Sequence, residues 1–182
     1  MAVIEDILLI LKVRSGNKNA LNTLINKYYN NIYSYIARKM GNEQIAADLT
    51  QDVFLKLVRN IHRYQITGKF SNFLFTITIN TCNDYFRKKK MDYEDIDNLE
   101  ETDVSHRPDN QILDNERSEM IKKGLVILSD AQRETIILRF YHDMKVKDIA
   151  KVTGVSLPTA KSRLKQAIDK LRLFFDKEGY FE

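Results

Sequence analysis

The segment VKDIAKVTGVSLPTAKSRLKQAIDKLRLFF, residues 146 to 175, contains two apolar-periodic stretches separated by a short turn. Gly154 supplies the positive φ that a tight turn needs, and Ala150 allows two helices to approach closely. Ser156 is placed to cap the second helix, and Pro158 is tolerated in its first turn. The segment is therefore predicted to form a helix-turn-helix.

The second helix of this motif has one apolar side and one polar side. Its inward positions are predicted to be Ala160, Leu164, Ala167, Ile168 and Leu171. The opposite side presents Pro158, Thr159, Ser162, Lys165 and Gln166, with Lys161 and Arg163 on the flanks. A recognition helix places its N-terminal residues in the major groove of DNA while nearby cations contact phosphates. The pattern favours DNA binding over a purely structural helical hairpin.

Helical periodicity also extends over the rest of the chain, and glycines separate many of the periodic stretches. The predicted helices span residues 3–14, 18–40, 43–61, 71–90, 112–127, 130–141, 145–153 and 157–175. There is little of the alternation that strands require. The fold class is therefore predicted to be all-α.

Charge divides the chain into three parts. Residues 1 to 90 carry 14 Lys and Arg against 6 Asp and Glu, residues 91 to 119 carry 2 against 11, and residues 120 to 182 carry 13 against 8. The acidic middle part has few aromatic residues, which is typical of a linker. Two small helical domains joined by an acidic flexible linker are therefore expected. Basic blocks are the footprint of a nucleic-acid binder, although ordinary solvated surfaces are often charged too.

The bulk composition argues against a membrane or secreted protein. An apolar content of 43% is sufficient for packed cores in 182 residues. The apolar run at residues 7 to 11 is too short to span a bilayer, and Glu5 and Asp6 do not suit a signal peptide. A cytoplasmic protein without direct membrane insertion is expected.

Metal and catalytic signatures are weak. Cys82 is the only cysteine, and the three histidines have no metal-ligand spacing. Asp48 and Asp52 are not accompanied by further clustered ligands, and no nucleophile, base and orienting group cluster in the sequence. Neither a metal site, a cofactor nor an enzymatic activity is expected.

The stretch FSNFLFTITINTCNDYFRKKK, residues 70 to 90, combines five aromatic side chains with four consecutive cations. On a helix, most of the rings are predicted to lie in the core. One polar stripe remains, and Asn and Arg on it could contact base edges while the cations neutralise phosphates. The preceding loop adds an aromatic residue and cations that suit an unpaired base. An ordinary solvated face is the alternative.

The predicted helix NEQIAADLTQDVFLKLVRNI, residues 42 to 61, carries one leucine that does not fit its core stripe. Leu55 lies opposite that stripe, on a face with Asp48, Gln51, Asp52 and Arg59. An apolar anchor ringed by charge is what a protein-binding patch requires. Single exposed leucines are also common and need no explanation.

The whole chain resembles a bacterial RNA polymerase sigma factor of the small extracytoplasmic-function type. Within residues 20 to 90, DLTQDVFLKLVR, a loop and KFSNFLFTITINTCNDYFRKKK are similar to sigma region 2. Within residues 125 to 175, LVILSDAQRETIILRFYHDMKVKDIA and TAKSRLKQAIDKL are similar to sigma region 4. The resemblance covers nearly everything except the linker. It implies a region 2 domain at residues 1–90, a linker at 91–119 and a region 4 domain at 120–182.

The resemblance implies a transcription initiation factor that binds core RNA polymerase. Such a factor directs the polymerase to promoters by recognising −35 and −10 elements, and it promotes strand opening. The implied partners are the β′ clamp helices and β flap of the polymerase, promoter DNA as duplex and melted strand, and, as is common in such families, an anti-sigma factor.

The resemblance also implies roles for individual positions. The polymerase-core contact falls on Asp48, Leu49, Gln51, Asp52, Leu55 and Arg59. The −10 contact falls on Arg63, Tyr64, Lys69, Phe70, Phe73, Asn80, Asn83, Arg87 and Lys88. The −35 contact falls on Ser156, Pro158, Thr159, Lys161, Ser162, Arg163 and Lys165.

Departures from the family pattern affect the helix-turn-helix. Thr153 stands where an apolar residue is common and Ala160 where Val is common, so softer packing is expected. The main alternative function is a conventional helix-turn-helix regulator that binds duplex DNA unaided, which leaves the first 90 residues without a role. A metal-dependent nucleic-acid enzyme using the acidic residues is a more remote alternative.

Overall fold

The computed structural model describes residues 2–66, 68–94 and 115–179. Every regular element in these ranges is helical, which confirms the all-α prediction. The chain divides into two compact units, Met1–Arg107 and Pro108–Glu182. Most of the predicted linker, from residue 95 to 114, lies outside the described residues.

The described part of the first unit contains four α-helices and one 3₁₀ turn. They are α1 Ala2–Arg14, α2 Lys18–Met40, α3 Glu43–Asn60, the turn Ile61–Arg63 and α4 Phe70–Glu94. Local signals set the boundaries: the Asn17 side chain accepts from the Ala20 N–H at 3.0 Å, and Asn42 accepts from the Ile45 N–H at 2.9 Å. Gly41 ends α2 in the left-handed conformation, with φ +63°. These helices follow the predicted spans, except that α4 continues four residues further.

The core of the first unit lies between α2, α3 and α4. Its fully buried side chains include Leu24, Ile32, Tyr35, Ile36, Leu57 and Leu74. Each such apolar side chain stabilises the unit by about 1.5 to 3 kcal/mol. Of the rings in residues 70 to 90, Phe70 and Phe75 are buried, whereas Phe86 is 45% exposed. The predicted core placement is therefore confirmed for Phe75 and wrong for Phe86.

The second unit is a smaller helical domain. It contains α5 Asn115–Val126, α6 Asp130–Ile136, a π-helical segment Ile137–Tyr141, α7 Val146–Val152 and α8 Leu157–Lys177. Ser129 and Gln132 form a reciprocal capping box that starts α6. Leu128, Ile136 and Ala167 form a buried cluster, with Leu125, Leu164 and Leu171 packed against it. The helix predicted at 130–141 therefore ends in a π-helical segment.

The predicted helix-turn-helix is formed by α7 and α8. Gly154 has φ +69°, and the Val155 N–H donates to the Ala150 carbonyl oxygen at 3.0 Å across the turn. The Thr153 hydroxyl donates to the Ile149 carbonyl oxygen at 2.7 Å, so this polar group is satisfied. Ala160 and Ala167 are buried as predicted. Ile168 is 36% exposed, so its predicted inward position is wrong, although its neighbour Ala167 is fully buried.

Candidate functional site

The exposed face of α3 carries an apolar centre with charged and polar neighbours. Leu55 is 55% exposed and Val58 is 40% exposed. Because they are three positions apart on one helix, their side chains are neighbours. Val58 was missed in the sequence although its spacing from Leu55 is visible there. The exposed side chains around them complete what is here called the α3 patch: Asp48, Gln51, Asp52 and Arg59.

Leu49 is a correction to the expected contact set. Its side chain is only 6% exposed and lies in the core of the first unit. A buried leucine supports the helix from inside and offers no surface to a partner. The helical repeat that turns Asp48 and Asp52 outward turns Leu49 inward.

The α3–α4 loop, residues 61 to 69, is organised around Tyr64. The Tyr64 ring lies 5.5 Å from the Phe70 ring and 5.2 Å from the Phe73 ring, centroid to centroid. Its hydroxyl donates to the Gly68 carbonyl oxygen at 2.5 Å, and burial raises its pKa. The loop therefore closes around a tyrosine that points into the protein.

Tyr64 and Phe70 are two further corrections. They are 6% and 2% exposed, so neither ring is available to stack on a base. Their rings pack against each other with centroids 5.5 Å apart, so both support the loop from inside. Arg63 and Lys69 are exposed as expected, and Phe73 in the first turn of α4 is half-buried.

The polar stripe on α4 is exposed and partly engaged with neighbouring helices. Its expected contact residues, all exposed, are Asn80, Asn83, Arg87 and Lys88. Lys39 of α2 donates to Asn83 Oδ1 at 3.3 Å, which adds a cation that sequence reasoning missed. Arg87 forms an ion pair with Asp84 at 3.0 Å, and at 75% side-chain exposure this pair contributes little stability. The stripe is thus a cationic surface built from two helices.

The polar face of α8 begins at its N-terminus. Ser156 Oγ accepts from the Thr159 N–H at 3.2 Å and caps the helix. The exposed residues are Ser156, Pro158, Thr159, Lys161, Ser162 and Lys165, whereas Arg163 is half-buried. No acidic residue occurs from position 157 to 168. The positive end of the helix dipole and these cations together favour phosphate binding.

An open apolar groove lies on the second unit and was not foreseen. Its volume is about 210 Å³, and it is lined by Ile121, Leu125, Ile136, Phe140, Tyr141, Leu171 and Phe175. The π-helical segment carries two of these rings, and Phe140 is 59% exposed. π-Helical turns occur frequently at functional sites. The adjacent Phe140 and Tyr141 at the end of a periodic stretch were the only sequence signal.

Among residues 2–66, 68–94 and 115–179, no group of three or more His, Cys, Asp and Glu is placed to hold a metal ion. In the same ranges, no helix combines the length and apolar character needed to cross a membrane.

Comparison with known proteins identifies both units. The family model of Sigma-70 region 2 matches residues 24–91, and that of Sigma-70, region 4 matches residues 124–173. Together the matches cover 118 of the 182 residues. The first includes α3 and the α3–α4 loop, and the second includes the helix-turn-helix.

Relatives and solved structures agree with these matches. The chain is 27% identical over 173 residues to the ECF RNA polymerase sigma factor SigW of Bacillus subtilis, covering 90% of this chain and 92% of that protein. It is similar to the sigma factor RpoE in complex with the anti-sigma factor NepR from Bartonella quintana, with a TM-score of 0.70, 25% identity and coverage of 85% and 96%. CnrH, in complex with the cytosolic domain of CnrY, shares the fold with a TM-score of 0.69, 21% identity and coverage of 95% and 98%. The chain therefore belongs to the sigma-70 family and is an RNA polymerase sigma factor of the extracytoplasmic-function type, a transcription initiation factor.

Proposed function

We propose that three surfaces divide the work of promoter-specific initiation. The α3 patch binds core RNA polymerase at its β′ clamp helices. The α3–α4 loop and the α4 stripe hold the opened −10 strand, and the polar face of α8 binds the −35 duplex. The single observation that carries the proposal is Leu55, a large apolar side chain 55% exposed at the centre of a polar helix face.

The α3 patch has the chemistry of a protein interface. Leu55 and Val58 supply an apolar centre, and the charged side chains around them form a polar rim. Protein interfaces concentrate their binding energy in such centres, while the rim excludes water. The acidic residues Asp48 and Asp52 help to orient the bound polymerase, because carboxylates pair with cations on a partner surface.

The −10 surface combines cations with a shaped loop. Arg63 and Lys69 are exposed on the loop, and Lys39, Arg87 and Lys88 extend the positive charge along α2 and α4. Unstacking a base costs a few kcal/mol, so a surface that holds the displaced strand favours opening. This role consumes no substrate, so we assign no catalytic step to the chain itself.

The −35 surface is the first half of α8. Ser156 caps the helix and so fixes where it begins. The exposed Thr159 and Ser162 therefore have fixed positions in the first turns, which enter the DNA major groove. Lys161 and Lys165 are exposed and suited to phosphates. Phosphate contacts position the helix, whereas the short polar side chains discriminate between base edges.

Two protein partners complete the proposal. The apolar groove of the second unit, with the exposed Phe140 at its edge, fits an apolar segment such as the β flap of the polymerase. RpoE and CnrH were solved in complexes, the former with an anti-sigma factor, and we propose that an anti-sigma factor competes for the α3 patch of this chain as well. Since polymerase and promoters lie in the cytoplasm, the chain acts there.

Run-off transcription with purified core polymerase on genomic fragments tests the α3 patch. Leu55→Asp should lower specific initiation about tenfold or more, because a charge replaces the apolar centre. Leu8→Asp is the matched control: Leu8 is also 55% exposed and belongs to the same unit, but it lies on α1. We expect near wild-type initiation from this control.

Two results would contradict the proposal. If Leu55→Asp and Leu8→Asp behave alike, α3 is not the polymerase contact. If the wild-type protein directs no initiation yet binds specific duplex DNA tightly, the unaided regulator is the better description.

A further inference from the structure

Arg14 of α1 fastens the beginning of the α3–α4 loop. Its Nε and Nη2 atoms donate to the Ile61 carbonyl oxygen at 3.1 and 2.9 Å. Nη2 also donates to the Tyr64 carbonyl oxygen. Ile61 follows the last residue of α3, and Tyr64 is where the loop leaves the 3₁₀ turn. One half-buried side chain therefore holds both ends of the turn that carries Arg63.

The contact suits a guanidinium group. Carbonyl groups at a helix C-terminus lack intrahelical partners, and a cation there is also favoured by the helix dipole. The planar fork of arginine reaches two acceptors together, which the single ammonium of lysine does less well. The Ile61 carbonyl oxygen also accepts from the Tyr64 N–H at 3.3 Å. Replacing Arg14 would remove the side-chain donor from both carbonyl oxygens and loosen the backbone between Ile61 and Tyr64.

Helix α1, which carries Arg14, is itself held in place in the first unit. Ile10 of α1 is fully buried, and the buried Asp6 accepts from the Tyr28 hydroxyl at 2.5 Å and pairs with Lys27 at 2.8 Å. Tyr64 is in turn held at its side chain by the Gly68 carbonyl oxygen. The loop is thus held at its start by α1 and at its far side by its own tyrosine.

We propose that Arg14 is a positioning residue for −10 recognition, so that α1 contributes to which opened strand the protein holds. The region 2 match begins at residue 24, and α1 lies before it. Arg14 acts through the backbone of Ile61 and Tyr64 and does not itself contact DNA. The inference rests on the proposed −10 role of the loop.

The test uses holoenzyme reconstituted with Arg14→Gln, Arg14→Lys and the control Lys12→Gln. Lys12 is an exposed cation on the same helix, so its replacement removes the same charge without removing the contacts of Arg14 with the Ile61 and Tyr64 carbonyl oxygens. The probe is a fluorescent nontemplate strand spanning the −10 region of a promoter on which wild-type holoenzyme initiates, compared with a scrambled strand of equal composition.

Arg14→Gln should weaken binding of the promoter strand about tenfold and binding of the scrambled strand less than about twofold. Arg14→Lys should retain part of the preference, and Lys12→Gln should retain all of it. The salt dependence of promoter-strand binding should stay unchanged in Arg14→Gln, because no phosphate contact is lost. Affinity for core polymerase should also stay unchanged.

Several outcomes would overturn the inference. Unchanged strand preference in Arg14→Gln excludes positioning, and equal weakening of both strands with a shallower salt slope indicates a direct phosphate contact instead. A parallel loss of polymerase affinity indicates a general folding role. If Arg14→Gln does not fold, Tyr64→Phe removes the hydroxyl contact on the other side of the loop and should also lower the preference; a wild-type preference in Tyr64→Phe would then count against the inference.

Failure of the proposed −10 role is distinguishable from failure of this inference. The double replacement of Arg63 and Lys69 by Gln tests the loop directly. If that variant binds both strands like the wild type, the loop is not the −10 surface. If it loses binding while Arg14→Gln behaves like Lys12→Gln, only the role of Arg14 is excluded.

Discussion

Several single residues in this protein act through backbone groups rather than through an exposed side-chain surface. Tyr64 donates to the Gly68 carbonyl oxygen, and Thr153 donates to the Ile149 carbonyl oxygen. Gly154 contributes a conformation instead of a contact, since its φ is +69°. A Cβ at Gly154 would meet no atom within 4 Å, so replacement there measures backbone strain alone.

Gly154→Ala should therefore destabilise the helix-turn-helix by about 1 to 2 kcal/mol. The expected readout is about tenfold faster amide hydrogen exchange in α7 and α8 under native conditions. Gly68→Ala is the matched control, read by exchange in α3 and α4 of its own unit, because its added Cβ also meets nothing within 4 Å and Gly68 has no positive φ. Equal exchange in both variants would contradict the strain argument.

At the scale of elements, α3 and the π-helical segment each bury one side in a core and expose the other side to a proposed partner. α3 buries Leu49, Val53 and Leu57 and exposes the α3 patch. The π-helical segment buries Ile137 and Leu138 and exposes Phe140 and Tyr141. Phe140 is therefore a residue whose replacement tests binding with little effect on folding.

Phe140→Ala should change the free energy of unfolding by less than about 0.5 kcal/mol, because the ring is 59% exposed. It should lower initiation from a −35-dependent promoter about five- to tenfold if the groove binds the polymerase flap. Leu173→Ala, at 63% exposure on α8 and outside the groove, provides the control. Unchanged initiation with Phe140→Ala, measured by run-off transcription, would exclude the groove as that contact.

At the scale of the whole molecule, the chain is two units with separate buried cores. The first unit is organised around α2, α3 and α4, and the second around α6, α7 and α8. Damage to one core should therefore stay within its own unit.

Leu57→Ala should destabilise the first unit by about 2 to 5 kcal/mol, because Leu57 is fully buried. Amide exchange in α8 should remain as in the wild type. Ile149→Ala, also at a fully buried position, is the reciprocal variant and should accelerate exchange in α7 and α8 but not in α3. Exchange that rises in both units of either variant would show that the units unfold together.

Local chemistry in the sequence was sufficient for the helices, the helix-turn-helix and the polar faces of α3 and α8. Asn17, Asn42 and Ser156 cap helices through atoms three residues away, so their effect does not depend on the rest of the fold. The helical repeat likewise predicted the exposed position of Leu55 from the sequence of α3 alone. The resemblance to sigma regions 2 and 4 was carried by these same local stretches.

Only the tertiary structure decided how the α3–α4 loop is held and what it exposes. Arg14 reaches a carbonyl group 47 positions away, and Lys39 reaches Asn83 44 positions away. The burial of Tyr64 and Phe70 also depends on packing, since the Tyr28 ring of α2 lies 5.3 Å from that of Phe70. Periodicity reports which side of a helix is apolar, but a loop has no period. Its inner and outer side chains are therefore assigned only when distant helices close around it.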